Sequence, residues 1–345
     1  MSLFSGRRLT QTQLQQDIDG LRQGIYSDKY FANVVQILQG LIAEGYRFSG
    51  TAPRSLPVDL TEIDVGNIIV EAQIFNRRAP QVLVGGVDAA LSMLRHATGY
   101  FKGDQFIETW ENLEIRAVQD GDLTHYDGDP TQAQPVIKIH GHYRDFALLE
   151  TPLLGVLTHI SRIATNVYEL LQAANGKPVL FFPARFDLPQ TQASDGYAYW
   201  LAVQRYNQDA GKILTPSIST DAQGLWWNGR GGGTVPHALI ASFLGDSAEA
   251  MVAFARHIPI TTPRILLADF DNDTITATRQ TLNAYWQHYR AALLTGDETE
   301  QKRWTLNGVR LDTAGNLVDA GLPADAEPGV SPALVKAVRE AIDTA

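Results

Sequence analysis

The stretch GKPVLFFPARFDLPQTQASDGYAYWLAVQRYNQDAGKILTPSIST, residues 176–220, sets the rhythm from which the fold is read. PVLFF (178–182) is a short apolar run that stops at a proline and a polar turn. GYAYWLAVQRY (196–206) has helical spacing, and KILTPSIS (212–219) supplies a second strand. The alternation continues toward the C-terminus. PHALIASF (236–243) and SAEAMVAFARH (247–257) read as helices, RILLADF (264–270) as a strand, TATRQTLNAYWQHYRAALL (276–294) as a helix and GVRLD (308–312) as a strand. Strands alternating with helices predict a parallel sheet or barrel, in which ligands meet the carboxyl ends of the strands.

Upstream, DFALLETPLLGVLTHISRIATNVYELLQAANG (145–176) predicts one long helix, with Asn175–Gly176 as its stop. LEIRAV (113–118) and PVIKIHGHY (135–143) are β-prone pieces separated by DGD and YDGDPTQAQ, both turn compositions, and predict a small sheet. VGNIIVEAQIFNRR (65–78) and QVLVGG (81–86) read as strands, and VDAALSMLRHATGYF (87–101) as an amphipathic helix. Residues 12–46 predict two helices that break near Gly24 to Asp28, with Ser27 or Asp28 capping the second. The expected organisation is an α/β domain over 1–147 and a second α/β domain over 148–345.

Composition narrows the function classes. With 345 residues, 44% hydrophobic and 19% charged, the chain has material for a sizeable core and no bias toward disorder. A net charge of -10 argues against a nucleic-acid surface, although a local arginine cluster would still serve an anionic substrate. Zero cysteines exclude disulfides, thiolate zinc sites and cysteine nucleophiles. No apolar run approaches the roughly 18 residues that cross a bilayer, and MSLFSGRRLTQTQLQQ has no apolar core after its arginines. The expectation is a cytoplasmic protein with no membrane partner.

Polar residues gather where a barrel would build its site: PARFD (183–187), STDAQG (219–224), DFDND (269–273) and RLDT (310–313). A strand-end aspartate is also an ordinary helix cap, but four such segments in register favour a site. GGGTVPH (231–237) lets backbone amides approach an anion, because glycine lacks the Cβ obstacle and a helix start presents free N–H groups. Pro236 suits a first helical turn, which puts His237 at the positive end of that helix and favours a neutral, nucleophilic imidazole. His237 is equally readable as the first residue of a core helix. His140 and His142 share a strand face at metal-pair spacing without an evident third ligand. His96, His125, His159, His257 and His288 read as structural or solvated, and Trp226–Trp227 as packing or a loop lid.

Seven segments in order, FALLETPLLGVL, RIATNVYELLQAANGKPVLFFPARFD, DGYAY, STDAQG, GTVPHALI, LADFDND and GVRLDT, resemble the nicotinate phosphoribosyltransferase family, and the likeness runs from about Tyr26 to Asp319. IYSDKYF and QIFNRRAPQVLVGGVDAAL are similar to its N-terminal domain. The resemblance implies a type II phosphoribosyltransferase: an N-terminal α/β sandwich domain, an irregular α/β barrel, and a homodimer with shared active sites. It implies transfer of phosphoribosyl from phosphoribosyl pyrophosphate to nicotinate, coupled to ATP hydrolysis and assisted by Mg²⁺, in NAD salvage.

Carried over by position, His237 matches the histidine that the family phosphorylates. Arg185 and Arg310 match arginines expected around the nicotinate carboxylate or the phosphates, where the guanidinium fork suits anions. Tyr30 corresponds to a tyrosine that stacks on the pyridine ring from the neighbouring subunit. Asp269, with Asp271 and Asp312, fits acidic strand ends facing ribose hydroxyls, and Asp269 and Asp271 are the expected magnesium ligands. Ser219, Thr220 and Thr234 are expected to bond phosphate.

Two departures accompany the likeness. The family's RLDSGD is RLDTAGN here, and the Ser-Gly-Gly and Gly-x-Gly segments expected to hold the 5-phosphate do not follow, so the barrel is expected to be shortened at its C-terminus. The alternatives are another type II phosphoribosyltransferase acting on nicotinamide or quinolinate, and a non-catalytic paralogue that binds nucleotide or pairs with an intact subunit. His237 argues against quinolinate, whose decarboxylating reaction needs no phosphohistidine.

Overall fold

A computed structural model describes residues 6–51 and 59–345. The described residues form two compact units, within Met1–Gly231 and Gly232–Ala345. The long helix placed by sequence at the head of the second domain packs inside the first unit, so this division falls at the glycine run rather than near residue 147.

The first unit opens with two short turns, α1 (Gln11–Leu14) and α2 (Ile18–Arg22), and the helix α3 (Lys29–Glu44). Asp28 occupies the N-cap position of α3, but its side chain accepts no capping hydrogen bond from the helix. β1 (Ile69–Phe75) and β2 (Gln81–Leu83) precede α4 (Val87–Ala97). Next come the hairpin β3 (Gly99–Lys102) and β4 (Gln105–Glu108), then β5 (Glu114–Ala117), β6 (Leu123–His125) and β7 (Pro135–His142). β1, β7 and β5 make a three-stranded antiparallel sheet, and β2 pairs antiparallel with β6.

Period-two alternation decides which face of that sheet is inside. Ile137 and Ile139 of β7 are buried against Val87, Ala90 and Leu94 of α4, while Lys138 and His140 face outward. α4 enters its packing through Gly86 at φ 92°, where a Cβ would press on the carbonyl of Val156. Only glycine permits both the left-handed backbone and the close approach.

A short turn, α5 (Tyr143–Phe146), and a 3₁₀ turn precede α6 (Glu150–Ala174), so the expected helix over 145–176 starts late but stops as expected, at Asn175 with φ 48°. Ser161 and Thr165 of α6 accept the N–H groups of Gly85 and Leu83, both at 3.0 Å, so helix side chains satisfy strand donors that would otherwise be buried unpaired. α6 packs on α7 (Gln192–Ala210) through Ile160, Ala164, Tyr168 and Leu171. Between the two helices in sequence lies β8 (Leu180–Phe181), which pairs parallel with β9 (Ser217–Ile218). The strand expected over 212–219 shrinks to two residues because Pro216 has no N–H for a ladder.

The second unit holds α8 (His237–Ser242), α9 (Ser247–His257), β10 (Ile265–Leu267), α10 (Thr274–Thr295), α11 (Glu298–Arg303), β11 (Gly308–Arg310) and α12 (Pro332–Asp343). β10 and β11 are parallel, with Leu266 opposite Val309. Its core is Met251, Leu266, Leu267, Ala268, Tyr285 and Trp304. α12 lies on α10 and buries Leu334, Val338 and Ala341. The alternation thus yields parallel pairs in an α/β fold, and among the described residues no sheet closes into a barrel.

Candidate active site

The second unit brings His237, Asp269, Asp312, Arg310 and Thr234 together. Because Leu267 of β10 lies opposite Arg310 of β11 in parallel register, the residues two steps further on, Asp269 and Asp312, emerge side by side at the carboxyl ends of both strands. Pro236 is the N-cap of α8 and His237 its first residue. His237 Nε2 lies 3.1 and 3.2 Å from the two carboxylate oxygens of Asp269. The Asp269 side chain is 8% exposed and that of His237 46%, so a nearly buried carboxylate holds an imidazole that is open to solvent.

Arg310 Nη1 and Nη2 point at Thr234 Oγ1 and the carbonyl of Val235, each at 3.4 Å, so the arginine also holds the segment leading into α8. Its Nη2 lies 3.8 Å from Asp312 Oδ2. His237, Asp269 and Asp312 present ligating atoms within 4.8 Å of one another. Two carboxylates suit a hard divalent cation such as Mg²⁺ better than the imidazole does. Asp271 is exposed and outside this trio. Asp273, also in DFDND, caps α10 by accepting the Thr276 N–H, so the ordinary helix-cap explanation holds there.

The first unit presents Arg185, Ser219 and Thr220 after the carboxyl ends of β8 and β9, and Tyr30 in the first turn of α3. Arg185 is exposed at the end of a 3₁₀ turn after β8. Ser219 and Thr220 follow β9, but both are engaged inside their own loop. The Gln223 amide oxygen accepts the N–H groups of Ser219 and Thr220 at 3.0 and 3.2 Å and the Ser219 hydroxyl at 3.3 Å, and Thr220 Oγ1 donates to Gln192 at 2.8 Å. Gln223 is completely buried, and its Nε2 has no hydrogen-bond partner among the described residues. Tyr30 is exposed and donates to Asp28, whose carboxylate also accepts from Thr151 Oγ1 at 3.1 Å, so SDKY is pinned to α6. Trp226 and Trp227 are packing residues: Trp227 stacks on Trp200 and donates to the Gln223 carbonyl.

One cluster escaped the sequence reading. His159 Nε2 lies 2.6 Å from Asp195 Oδ1, and Asp187 Oδ2 is buried beside them without a hydrogen bond to a described residue. The Asp195 hydrogen bond holds His159 above the usual imidazole range, and burial followed by the Asp195 charge pushes Asp187 upward. PARFD does contain Asp187, but its partners come from two helices whose spacing carries no sign of the contact. His140 faces solvent and His142 Nδ1 lies 2.9 Å from the Asn67 carbonyl, so this pair shows ordinary surface-strand roles.

Residues 59–161 match the family described as quinolinate phosphoribosyl transferase, N-terminal domain. Among solved structures, nicotinate-nucleotide pyrophosphorylase from Pyrococcus furiosus is similar with a TM-score of 0.63 at 22% identity, over 95% of this chain and 64% of that one. Human nicotinic acid phosphoribosyltransferase gives 0.47 at 17% identity, over 84% of this chain and 61% of that one. No curated protein sequence matches the chain. The class is therefore the type II phosphoribosyltransferase fold, which the sequence motifs resemble. Within that likeness, residues 59–161 are similar to the N-terminal domain of quinolinate phosphoribosyltransferases, and the chain spans just under two thirds of the length of the Pyrococcus structure. No helix among the described residues is long and apolar enough to cross a membrane.

Proposed function

We propose that the protein is a nicotinate phosphoribosyltransferase that couples formation of nicotinate mononucleotide and pyrophosphate to ATP hydrolysis, working in the cytoplasm as a homodimer. The observation that carries this reading is the His237–Asp269 hydrogen bond at the strand ends, beside Arg310 and Asp312. With Nε2–H donating to Asp269, the lone pair of Nδ1 is free to attack the γ-phosphorus of ATP. The bond from that phosphorus to the bridging oxygen breaks, ADP leaves, and water later cleaves the N–P bond to release phosphate. A carboxylate that fixes the tautomer and steadies the charged imidazole is the general logic of such activation.

In the transfer itself, the C1–O bond of phosphoribosyl pyrophosphate breaks as the pyridine nitrogen bonds to C1, through an oxocarbenium-like ribose that carboxylates stabilise. Asp269 and Asp312 offer the oxygen donors for Mg²⁺, with Asp271 a further acid on the same loop, and the ion when bound neutralises the departing pyrophosphate. Arg185 and Arg310 are the guanidinium groups offered to the nicotinate carboxylate and the phosphates, with Thr234 as a supplementary donor, whereas the Ser219 and Thr220 hydroxyls are taken by Gln223 and Gln192. Tyr30, exposed and held by Asp28, is the ring offered to a second copy's pyridine.

A second reading, quinolinate as acceptor with loss of CO₂, is favoured by the match of residues 59–161. Purified protein is incubated with phosphoribosyl pyrophosphate, Mg²⁺ and either nicotinate or quinolinate, with and without ATP, and nicotinate mononucleotide is detected by mass spectrometry. The expected result is product from nicotinate that rises with ATP and falls at least a hundredfold in His237→Ala. Product from quinolinate that ignores both ATP and His237 would establish the second reading. No product from either acceptor would mean that the chain binds without catalysing.

A further inference from the structure

A cavity of about 680 Å³ opens in the first unit, between the end of β1 and helix α6. Arg77, Arg78 and Arg162 line it, with Asn76, Thr158 and Asn166 as neutral donors and acceptors. No aspartate or glutamate lines it, although the chain carries 38 acidic residues against 28 lysines and arginines. In so acidic a protein, three guanidinium groups around one concavity with no lining carboxylate are not the average surface.

The three arginines are not equivalent. Arg78 is already engaged: its Nη2 makes a bidentate pair with Glu169 at 3.0 and 2.9 Å and its Nη1 donates to Asn166 at 2.7 Å, which fixes one wall. Arg77 and Arg162 make no salt bridge or hydrogen bond through their guanidinium groups with any described residue. Arg77 lies over the Phe75 ring, 5.4 Å from its centroid, which orients it without neutralising it. The floor includes Phe75 and the buried Val82, so the cavity offers an apolar surface beside its charge.

We infer that this cavity is a binding site for a phosphorylated small molecule of nucleotide size, its phosphate held between Arg77 and Arg162 and its uncharged part set against Phe75 and Val82. The volume falls in the range of small-molecule pockets, roughly 300–1,000 Å³. Arginine supplies paired donors to phosphate oxygens, and the carboxylate beside the cavity, Glu169, is already paired with Arg78. The site is built wholly from the first unit and owes nothing to the strand-end residues around His237. It holds whether the acceptor of the catalysed reaction is nicotinate, quinolinate or neither.

The test is calorimetric titration of the full chain with inorganic pyrophosphate and, separately, with AMP. Three proteins are compared: the unaltered chain, the double variant Arg77→Ala/Arg162→Ala, and Arg310→Ala as a control for binding at the strand ends. The expected result is that AMP titrates a class of site that Arg310→Ala retains and that the double variant binds at least tenfold more weakly, with both variants melting as folded proteins. Pyrophosphate is expected to titrate two classes of site, one lost in each variant. Unchanged AMP affinity in a folded double variant, loss of AMP binding in Arg310→Ala alone, or no AMP binding to the unaltered chain would each overturn the inference. If the double variant fails to fold, Arg77→Gln and Arg162→Gln are titrated singly, and wild-type AMP affinity in both would overturn it.

Discussion

At the residue scale, the geometry at His237 makes a prediction separate from that of deleting the histidine. Asp269 acts on the phosphorylation step through the imidazole, so Asp269→Asn keeps the shape and removes the charge that favours one tautomer. The expected outcome is a fall of about a hundredfold or more in ATP-dependent product formation. Binding of nicotinate in a direct titration should change little, and a parallel loss of nicotinate affinity would show that Asp269 holds substrate instead.

Asp120 offers a pH-dependent counterpart. Its carboxyl accepts the N–H groups of Val87 and Asp88 at the start of α4 and the hydroxyl of Tyr197. Burial, then the neighbouring Asp88 charge, pushes it up to about 7 from an ordinary value of 3.8. Between those values the folded chain holds a proton that the unfolded chain has released. Its contribution to stability is therefore complete below about pH 4 and is lost as pH rises toward 7. Urea midpoints measured at pH 5 and pH 8 should fall over that interval in the unaltered protein and fall less in Asp120→Asn. Equal slopes would remove Asp120 from the titration.

At the element scale, two contacts decide whether the site loops hold their shape. Gly196, the fifth residue of α7, sits against the Gln223 carbonyl so closely that an added Cβ would overlap it. Gly196→Ala is expected to cost about 3 kcal/mol in unfolding free energy. The Ser219–Thr220 loop should loosen with it, read by chemical denaturation and by faster amide exchange at Ser219 and Thr220, whose N–H groups bond Gln223. α12 presents the second contact. Leu334 is fully buried, and Leu334→Ala should cost about 2–5 kcal/mol. A change under 0.5 kcal/mol would mean that α12 is not cooperative with the rest of its unit.

At the scale of the whole molecule, the proposed homodimer predicts a particle of twice 37.9 kDa by light scattering after gel filtration. Tyr30→Ala should leave that mass unchanged while weakening nicotinate binding, since an exposed ring beside Asp28 is offered as a stacking surface rather than as a core contact. A monomer that forms product at full rate would eliminate the shared site. The charge of -10 carries a parallel expectation: the chain should not shift duplex DNA in a gel at physiological salt.

What the sequence settled by itself was whatever depends on neighbours along the chain. α7 and α10 appear where helical spacing puts them, β7 forms where PVIKIHGHY predicts a strand, Asn175 and Gly176 end α6, and the parallel pairs follow from strand–helix alternation. Period and turn chemistry are local, so they survive in a one-dimensional reading. Only the tertiary structure decided which polar residues meet. Asp269 reaches His237 across 32 positions because a parallel strand aims it there, and Asp312 joins them through β11. Ser219 and Thr220 are absorbed by the buried Gln223, and His159 finds Asp195 from another helix. KILTPSIS has strand composition, yet its proline leaves two paired residues. Hydrogen bonds and ion pairs are set by distances of a few ångströms across elements, and no periodicity along the chain encodes them.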